Sequence, residues 1–300
     1  MNGYASAQYA HALAEWGEPR NLPRCDGWLL ERPIAGTDGW RDAMGPYPLF
    51  ACRDWSQLGR DLDDLGDLVS VTLVTEPFAA VSLVQLREAF DHVVAFKPHV
   101  VVELGSAFIA GAARNHRRNA RRALRSLVVG RAADPIAHLD DWEALYATLA
   151  ARHQVTGIQR FSRESFAAQL QVPGIVMFIA REGEVVVGAG LWYLDGKVGY
   201  SHLHAMSARG YELCASYALY WTAFHELADD VDVVDIGAGA GAGGTGTGLD
   251  DFKRGWTTAA PIPVYLCGRT VDDERYVSLV AAGGDPASRY FPAYRAGELV

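Results

Sequence analysis

Lysine is nearly missing from this 300-residue chain, which holds Lys97, Lys197 and Lys253 against 24 arginines. Where a chain so consistently takes the planar guanidinium fork, a lone lysine such as Lys253 is either a surface residue on a short helix or the mark of a place that wants a compact point charge on a flexible stem. Cysteine is scarce as well: Cys25, Cys52, Cys214 and Cys267 stand far apart, with no C-x-x-C pair and no clustered His to complete a zinc site. That spacing excludes a metal ribbon and a disulfide framework, and predicts reduced, mostly buried thiols. Long apolar runs are absent too. The longest uncharged one on a helix, Leu213 to Phe224, falls short of the ~20 residues a membrane span requires, so no transmembrane helix is expected. Met1 to Ala14 contains no Lys or Arg and no compact apolar core, unlike a secretory signal, which makes the expected compartment cytoplasmic.

The charge balance excludes one more class. With 36 acids against 27 bases the net charge is −9, so the chain does not coat nucleic acid with its whole surface, although a local basic site remains open. The length suits two domains of ordinary size or one large one. A composition 50% hydrophobic and 21% charged describes a packed globular protein.

Up to Leu49 the pattern is hard to parse. From there Val69 to Val74 reads as a strand closed by Pro77, Ser82 caps a helix, and His99 to Leu104 reads as a strand before an Arg-rich helix near Ala112 to Leu127. The second half is clearer. A helix from Asp140 to about His153 and a short one from Ser162 precede three strands at hairpin distances, Gly174 to Arg181, Val185 to Leu194 and Lys197 to Met206. A crossover helix from Tyr211 to Ala228 leads to strand Val231 to Ile236, a Gly-rich loop, a short helix through Phe252, strand Ile262 to Cys267 and a last helix from Asp272. Three antiparallel strands, a crossover helix and a strand returning parallel to the third predict an α+β sandwich. Its sheet is mixed and mostly antiparallel, with a splayed parallel pair where an extended acyl donor can bind. Val100 to Gly105 and Ile262 to Gly268, each preceded by a Phe-Lys pair, form a faint repeat between the halves.

Val233-Val234-Asp235-Ile236-Gly237-Ala238-Gly239-Ala240-Gly241 looks like the nucleotide-binding motif of S-adenosylmethionine methyltransferases. Only about sixty residues follow it, and a Gly-rich loop replaces the expected helix, so that reading stands as a minor alternative. A sharper feature is the stretch from Arg114 to Arg131, with Arg114, Arg117, Arg118, Arg121, Arg122, Arg125 and Arg131, His116 and no acid. On a helix Arg114, Arg118, Arg121, Arg122 and Arg125 share a broad face. Such a face is either solvated and paired with the surplus acids or a clamp for phosphates, whose arrival relieves the repulsion. Tyr200, His202 and His204 alternate along a strand and are expected on one face, which either packs against the neighbouring helix or lines the cleft, where His202 or His204 can take a proton from an attacking amine. Lys253, after the Gly-rich loop and between Phe252 and Trp256, is the candidate to stabilise charge on an acyl or leaving oxygen.

Residues Asn115 to Thr257 resemble the FemAB-like branch of the GNAT acyltransferase superfamily. The resemblance rests on His116-Arg117-Arg118-Asn119-Ala120-Arg121-Arg122-Ala123-Leu124, on the run Tyr200 to Ala218, and on Gly248-Leu249-Asp250-Asp251-Phe252-Lys253 ahead of an aromatic. It implies two tandem GNAT-like domains, a degenerate one over 1–112 and an acyltransferase domain over 113–300. It further implies transfer of an acyl or aminoacyl group to an amine by direct attack, with no tightly bound cofactor and no metal, and with acyl-CoA or aminoacyl-tRNA as co-substrate. The implied acceptor is a small-molecule or cell-envelope-precursor amine, and tRNA is a partner in the second case. Lys253 takes the donor-end role of the family's Phe-Lys lysine, beside Phe252 and Tyr200, and the Arg segment resembles the phosphate-binding region. In acetyl-CoA-using relatives an Arg/Gln-x-x-Gly-x-Gly/Ala turn wraps the pyrophosphate. Here Ser207-Ala208-Arg209-Gly210-Tyr211-Glu212 leaves Arg209 and Gly210 for donor binding but puts Ser in the basic position, which tilts toward aminoacyl-tRNA or an unusual donor. The alternative class is a non-catalytic GNAT-fold module binding a phosphorylated ligand or RNA.

Overall fold

In a computed structural model that describes residues 1–239, 248–283 and 290–298, the described strands form two six-stranded mixed sheets. The first half begins with helix α1 (Ala7–Ala12) and strands β1 (Glu18–Leu22), β2 (Gly27–Pro33) and β3 (Arg41–Met44). It continues through α2 (Leu58–Asp63), β4 (Ser70–Val74), α3 (Leu83–Ala89), β5 (His92–His99), β6 (Val101–Glu103) and α4 (Ser106–Gly111). In β4, Val71 and Leu73 are buried while Thr72 and Val74 are half-buried, the period of two of a strand with one face on a core. Helix α3 starts at Ser82 with a full capping box closed by Gln85, which satisfies the first orphan N–H groups.

The second half runs through α5 (Arg114–Ala123), β7 (Val128–Arg131), α6 (Leu139–His153), α7 (Arg163–Gln169), β8 (Ile175–Glu182), β9 (Val185–Asp195) and β10 (Val198–Met206). Then come α8 (Ala208–Glu212), α9 (Ala215–Leu227), β11 (Val233–Asp235), α10 (Gly248–Arg254), β12 (Ile262–Thr270) and α11 (Asp273–Gly283). Most of the Gly-rich loop, residues 240–247, lies outside the described residues. Along β8, Val176, Phe178 and Ala180 face the core under α5 and α9, whereas Met177 and Ile179 face a second core shared with α6, α7 and Tyr4, Tyr9 and Leu13 from the N-terminal segment. The sheet is therefore covered on both faces, and Trp142, Trp192 and Trp256 are fully buried. The crossover expected as one helix is two: Cys214, at φ 58, breaks it between α8 and α9.

The strand order is β1-β2-β3-β4-β12-β5 in one sheet and β6-β11-β10-β9-β8-β7 in the other. Each has one parallel pair, β3 with β4 and β10 with β11, and each parallel pair is flanked by an antiparallel strand: β12 beside β4, β6 beside β11. The two runs of the faint repeat each lie antiparallel beside the later strand of a parallel pair, β6 at the edge of one sheet and β12 inside the other. Strand β6 precedes residue 113 yet lies in the second sheet, and β12 follows it yet lies in the first.

Candidate functional site

Strand β10 is nine residues long but pairs with β11 only at Val198↔Val233, Gly199↔Val234 and Tyr200↔Asp235. Beyond Tyr200 the strands part. Strand β10 shifts register against β9 between Ser201 and Leu203, and the chain leaving β11 turns to Val100, with Ile236 N–H donating to the Val100 carbonyl at 2.9 Å.

Both members of this last pair are held by side chains of the first sheet. The Tyr200 hydroxyl donates to Glu76, which follows β4. The His99 imidazole, at the end of β5, lies with Nδ1 2.8 Å from Asp235 Oδ2, and the other Asp235 oxygen accepts from Gly237 N–H at 2.7 Å. Asp235 and His99 are buried, at 3% and 9% exposure; a carboxylate so placed needs such partners to offset its lost hydration. Burial pushes the Glu76 carboxyl up to about 7.

Lys253 comes to the same place from α10. Its Nζ donates to the Ala238 carbonyl at 2.6 Å and lies over Gly237, where a Cβ would sit 3.0 Å from it. Burial lowers the amine to about 8; Asp235 and Asp250 pull it upward and Lys97 pushes it down. Beside it Phe252 meets the rings of Tyr217, Tyr220 and Trp256 in edge-on contacts with centroids 4.9, 5.1 and 5.8 Å apart, at the margin of the core under α5 and α9.

The two strand histidines do not share a face. The register shift at Ser201/Leu203 breaks the alternation, so Tyr200 and His202 turn to the core of Tyr4 and Tyr193, while His204 turns to Trp192 and Tyr220. His202 is locked: Tyr4 donates to Nδ1 at 3.1 Å and Nε2 donates to Gln169 Oε1 at 2.8 Å, which leaves no nitrogen to receive a proton. His204 stacks on Tyr220 at 4.5 Å with Nε2 2.9 Å from Ser201 Oγ, and its Nδ1 is buried without a partner. Burial lowers both imidazoles to about 3, and for His204 the nearby Lys253 and His202 add to the shift.

Arg209 and Gly210 also differ from expectation. Arg209 is spent on Glu182 at 2.6 Å and Glu212 at 3.0 Å. Gly210 serves packing, because a Cβ there would lie 2.0 Å from the Val187 carbonyl oxygen. The Arg helix follows the sequence pattern more closely. In α5 His116, Ala120 and Ala123 are buried, and Arg114, Arg118, Arg121 and Arg122 are exposed on the other side, with Arg125 just past its end. None of these five makes an ion pair among the described residues. Arg131 does, with Asp230 at 2.8 Å.

Sequence reasoning singled out Lys253, Phe252 and Tyr200, which the structure groups with Asp235, seen there only as part of a nucleotide motif. It missed His99 and Glu76. The available signals were an acid at the end of an apolar strand, which must find a partner when buried, and an acid closing β4 just before Pro77. Among the described residues no three His, Cys, Asp or Glu side chains group as metal ligands, and no helix is long and apolar enough to cross a membrane.

Residues 112–254 match the family described as Acetyltransferase (GNAT) domain. Among solved structures the chain is similar to FemX, with a TM-score of 0.62 at 12% identity over 87% of this chain and 90% of that one. It is also similar to L-PGS from Bacillus licheniformis, with a TM-score of 0.55 at 12% identity over 94% and 97%. A conserved protein of unknown function from Bacteroides thetaiotaomicron gives 0.59 at 12% identity over 89% and 91%. At these identities the likeness is one of fold. Curated proteins give no match.

Proposed function

We propose that this GNAT-fold acyltransferase of the FemAB-like branch moves an acyl or aminoacyl group from an activated donor to an amine, forming an amide. The observation that carries the reading is the burial of Lys253 Nζ on the Gly237–Ala238 backbone, where β10 and β11 part. An extended donor seated between the strands brings its carbonyl to that amine. With its pKa lowered only to about 8, Lys253 remains mostly protonated at neutral pH, and its fixed charge in a dry site opposes the negative charge that develops on the acyl or leaving oxygen. Tyr200 and Phe252 line the approach.

The arginines of α5 serve as the phosphate clamp. Arg114 stands in the first turn of that helix, where the dipole disfavours a cation, and the N-cap Ala113 supplies no side-chain cap. Arg114 with Arg118, and Arg118 with Arg122, are like charges four residues apart, each pair costing roughly 0.2–0.5 kcal/mol. A polyanion removes these costs on binding. The engagement of Arg209 by Glu182 and Glu212 favours an aminoacyl-tRNA or unusual donor over ordinary acetyl-CoA. The proposed acceptor is a small-molecule or cell-envelope-precursor amine.

The test is mass spectrometry of products formed with a panel of acyl-CoAs and charged tRNAs and a set of amines. A mass gain on an amine with one donor class supports the reading. Salt-sensitive binding of tRNA with no product from any donor overturns it and identifies a phosphate-binding module instead.

A further inference from the structure

An amine that attacks a carbonyl has to lose a proton, and neither strand histidine can take it. Glu76 is engaged by Tyr200, and Lys253 is held as a charge donor. We propose that His99, oriented by Asp235, is the general base of this site, an inference that rests on the amide-forming reading above.

The geometry is that of an oriented imidazole. A carboxylate only accepts, so the 2.8 Å contact of Nδ1 with Asp235 Oδ2 places the proton on Nδ1 and leaves the Nε2 lone pair available. The carboxylate cannot swing away, because Gly237 N–H holds its second oxygen at 2.7 Å. His99 Nε2 has no hydrogen-bond partner among the described residues and is not among the sealed side-chain atoms that lack one, so it keeps access to solvent. Asp235 is also the point on which the site's electrostatics converge: Glu76 after β4, Tyr200 on β10, Tyr220 on α9, Tyr4 from the N-terminal segment and Lys253 on α10 all sense its charge. Lys97, two residues before His99 on β5, acts on Lys253. The base thus comes from the half of the chain whose motifs are weak.

In the step itself, the acceptor nitrogen forms a bond to the donor carbonyl carbon. The bond from that carbon to the leaving oxygen or sulfur breaks, and its electron pair goes to the leaving atom. The proton shed by the nitrogen passes to His99 Nε2 and from there to the leaving atom, so the imidazole ends neutral, as it began. Lys253 acts on the oxygen and His99 on the nitrogen.

The test compares wild type, His99→Gln and Asp235→Asn in transfer assays across pH, with circular dichroism to verify folding. His99→Gln is expected to lower kcat/KM about 100-fold. Asp235→Asn, which offers His99 an amide in place of a carboxylate, is expected to lower kcat/KM at least tenfold. Wild-type kcat/KM in His99→Gln overturns the base and leaves the acyltransferase reading standing. No transfer by wild type from any donor overturns both. Nitrogen NMR of the wild-type imidazole decides the matter even if the variants do not fold: a proton on Nδ1 supports the proposal, and a proton on Nε2 overturns it.

Discussion

His116 Nε2–H donates to the Phe252 carbonyl at 2.8 Å, fastening the arginine helix to the residue that precedes Lys253. The imidazole also stands edge-on to Trp256, with centroids 4.8 Å apart at 88°. At Gly255 a Cβ would lie 2.0 Å from its ring. These contacts tie α5 to α10 and the residues that follow it.

This contact predicts that Gly255→Ala destabilises the protein by about 1–3 kcal/mol, the usual cost of overpacking, because the methyl group displaces the His116 ring. Gly130→Ala, where a Cβ meets nothing within 4 Å, serves as the control and is expected to leave the melting temperature unchanged. Thermal denaturation of both reads the difference, and equal melting temperatures refute the coupling.

For Lys253→Met, which keeps the stem and removes the charge, kcat is expected to fall about 100-fold or more, as for the loss of one preorganised charge in a water-poor site. The circular dichroism spectrum should match wild type. Full turnover in the folded variant removes Lys253 from the mechanism.

Alanine at Arg118 and Arg122 together should raise KM for the phosphate-bearing substrate and flatten the dependence of binding on salt, each lost phosphate contact reducing the logarithmic slope by about 0.7–0.9. Both side chains are exposed and make no ion pair among the described residues, so the melting temperature is expected to stay level or to rise as repulsion is relieved. A substantial loss of stability would mean that the arginines hold the fold together.

His202 and His204 predict an acid weakness. Their folded pKa values are lowered to about 3 by burial, below the ordinary 6.5 or so, so the unfolded chain binds more protons between those values. The stability that depends on neutral rings is complete above pH 6.5 and is lost as the pH falls toward 3. Urea denaturation between pH 6 and 4 should show a shallower decline in His204→Phe than in wild type, by up to about 1 kcal/mol per pH unit. Glu76, with its carboxyl raised to about 7, acts in the opposite direction from about pH 4.5 to 7, and is unchanged in this comparison. Parallel curves would show that His204 is not held neutral.

Much of the second sheet was legible because its signals are local: Glu182-Gly183-Glu184 and Asp195-Gly196 close the hairpins, and a continuous apolar run lies between them. The first three strands were not, since β1, Glu18-Pro19-Arg20-Asn21-Leu22, has almost no apolar pattern of its own. Strand β5 was missed because it forms a sheet edge, exposing Val94, Ala95 and Phe96 and carrying Pro98. The site divides in the same way. Lys253 and Phe252 could be found from composition and neighbours, but His99 meets Asp235 across 136 residues of sequence. No spacing rule foretells the register shift that turns His204 away from His202.

The exchange of β6 and β12 has a consequence for how the molecule comes apart. Each half clasps the other with a strand of its own, as two hooked hands do, so a cut near residue 113 would take β6 from one sheet and β12 from the other instead of freeing two finished pieces. The halves are expected to melt in a single cooperative transition, and the general base, carried on the strand that runs into one of those clasps, reaches its carboxylate only when both hands are closed.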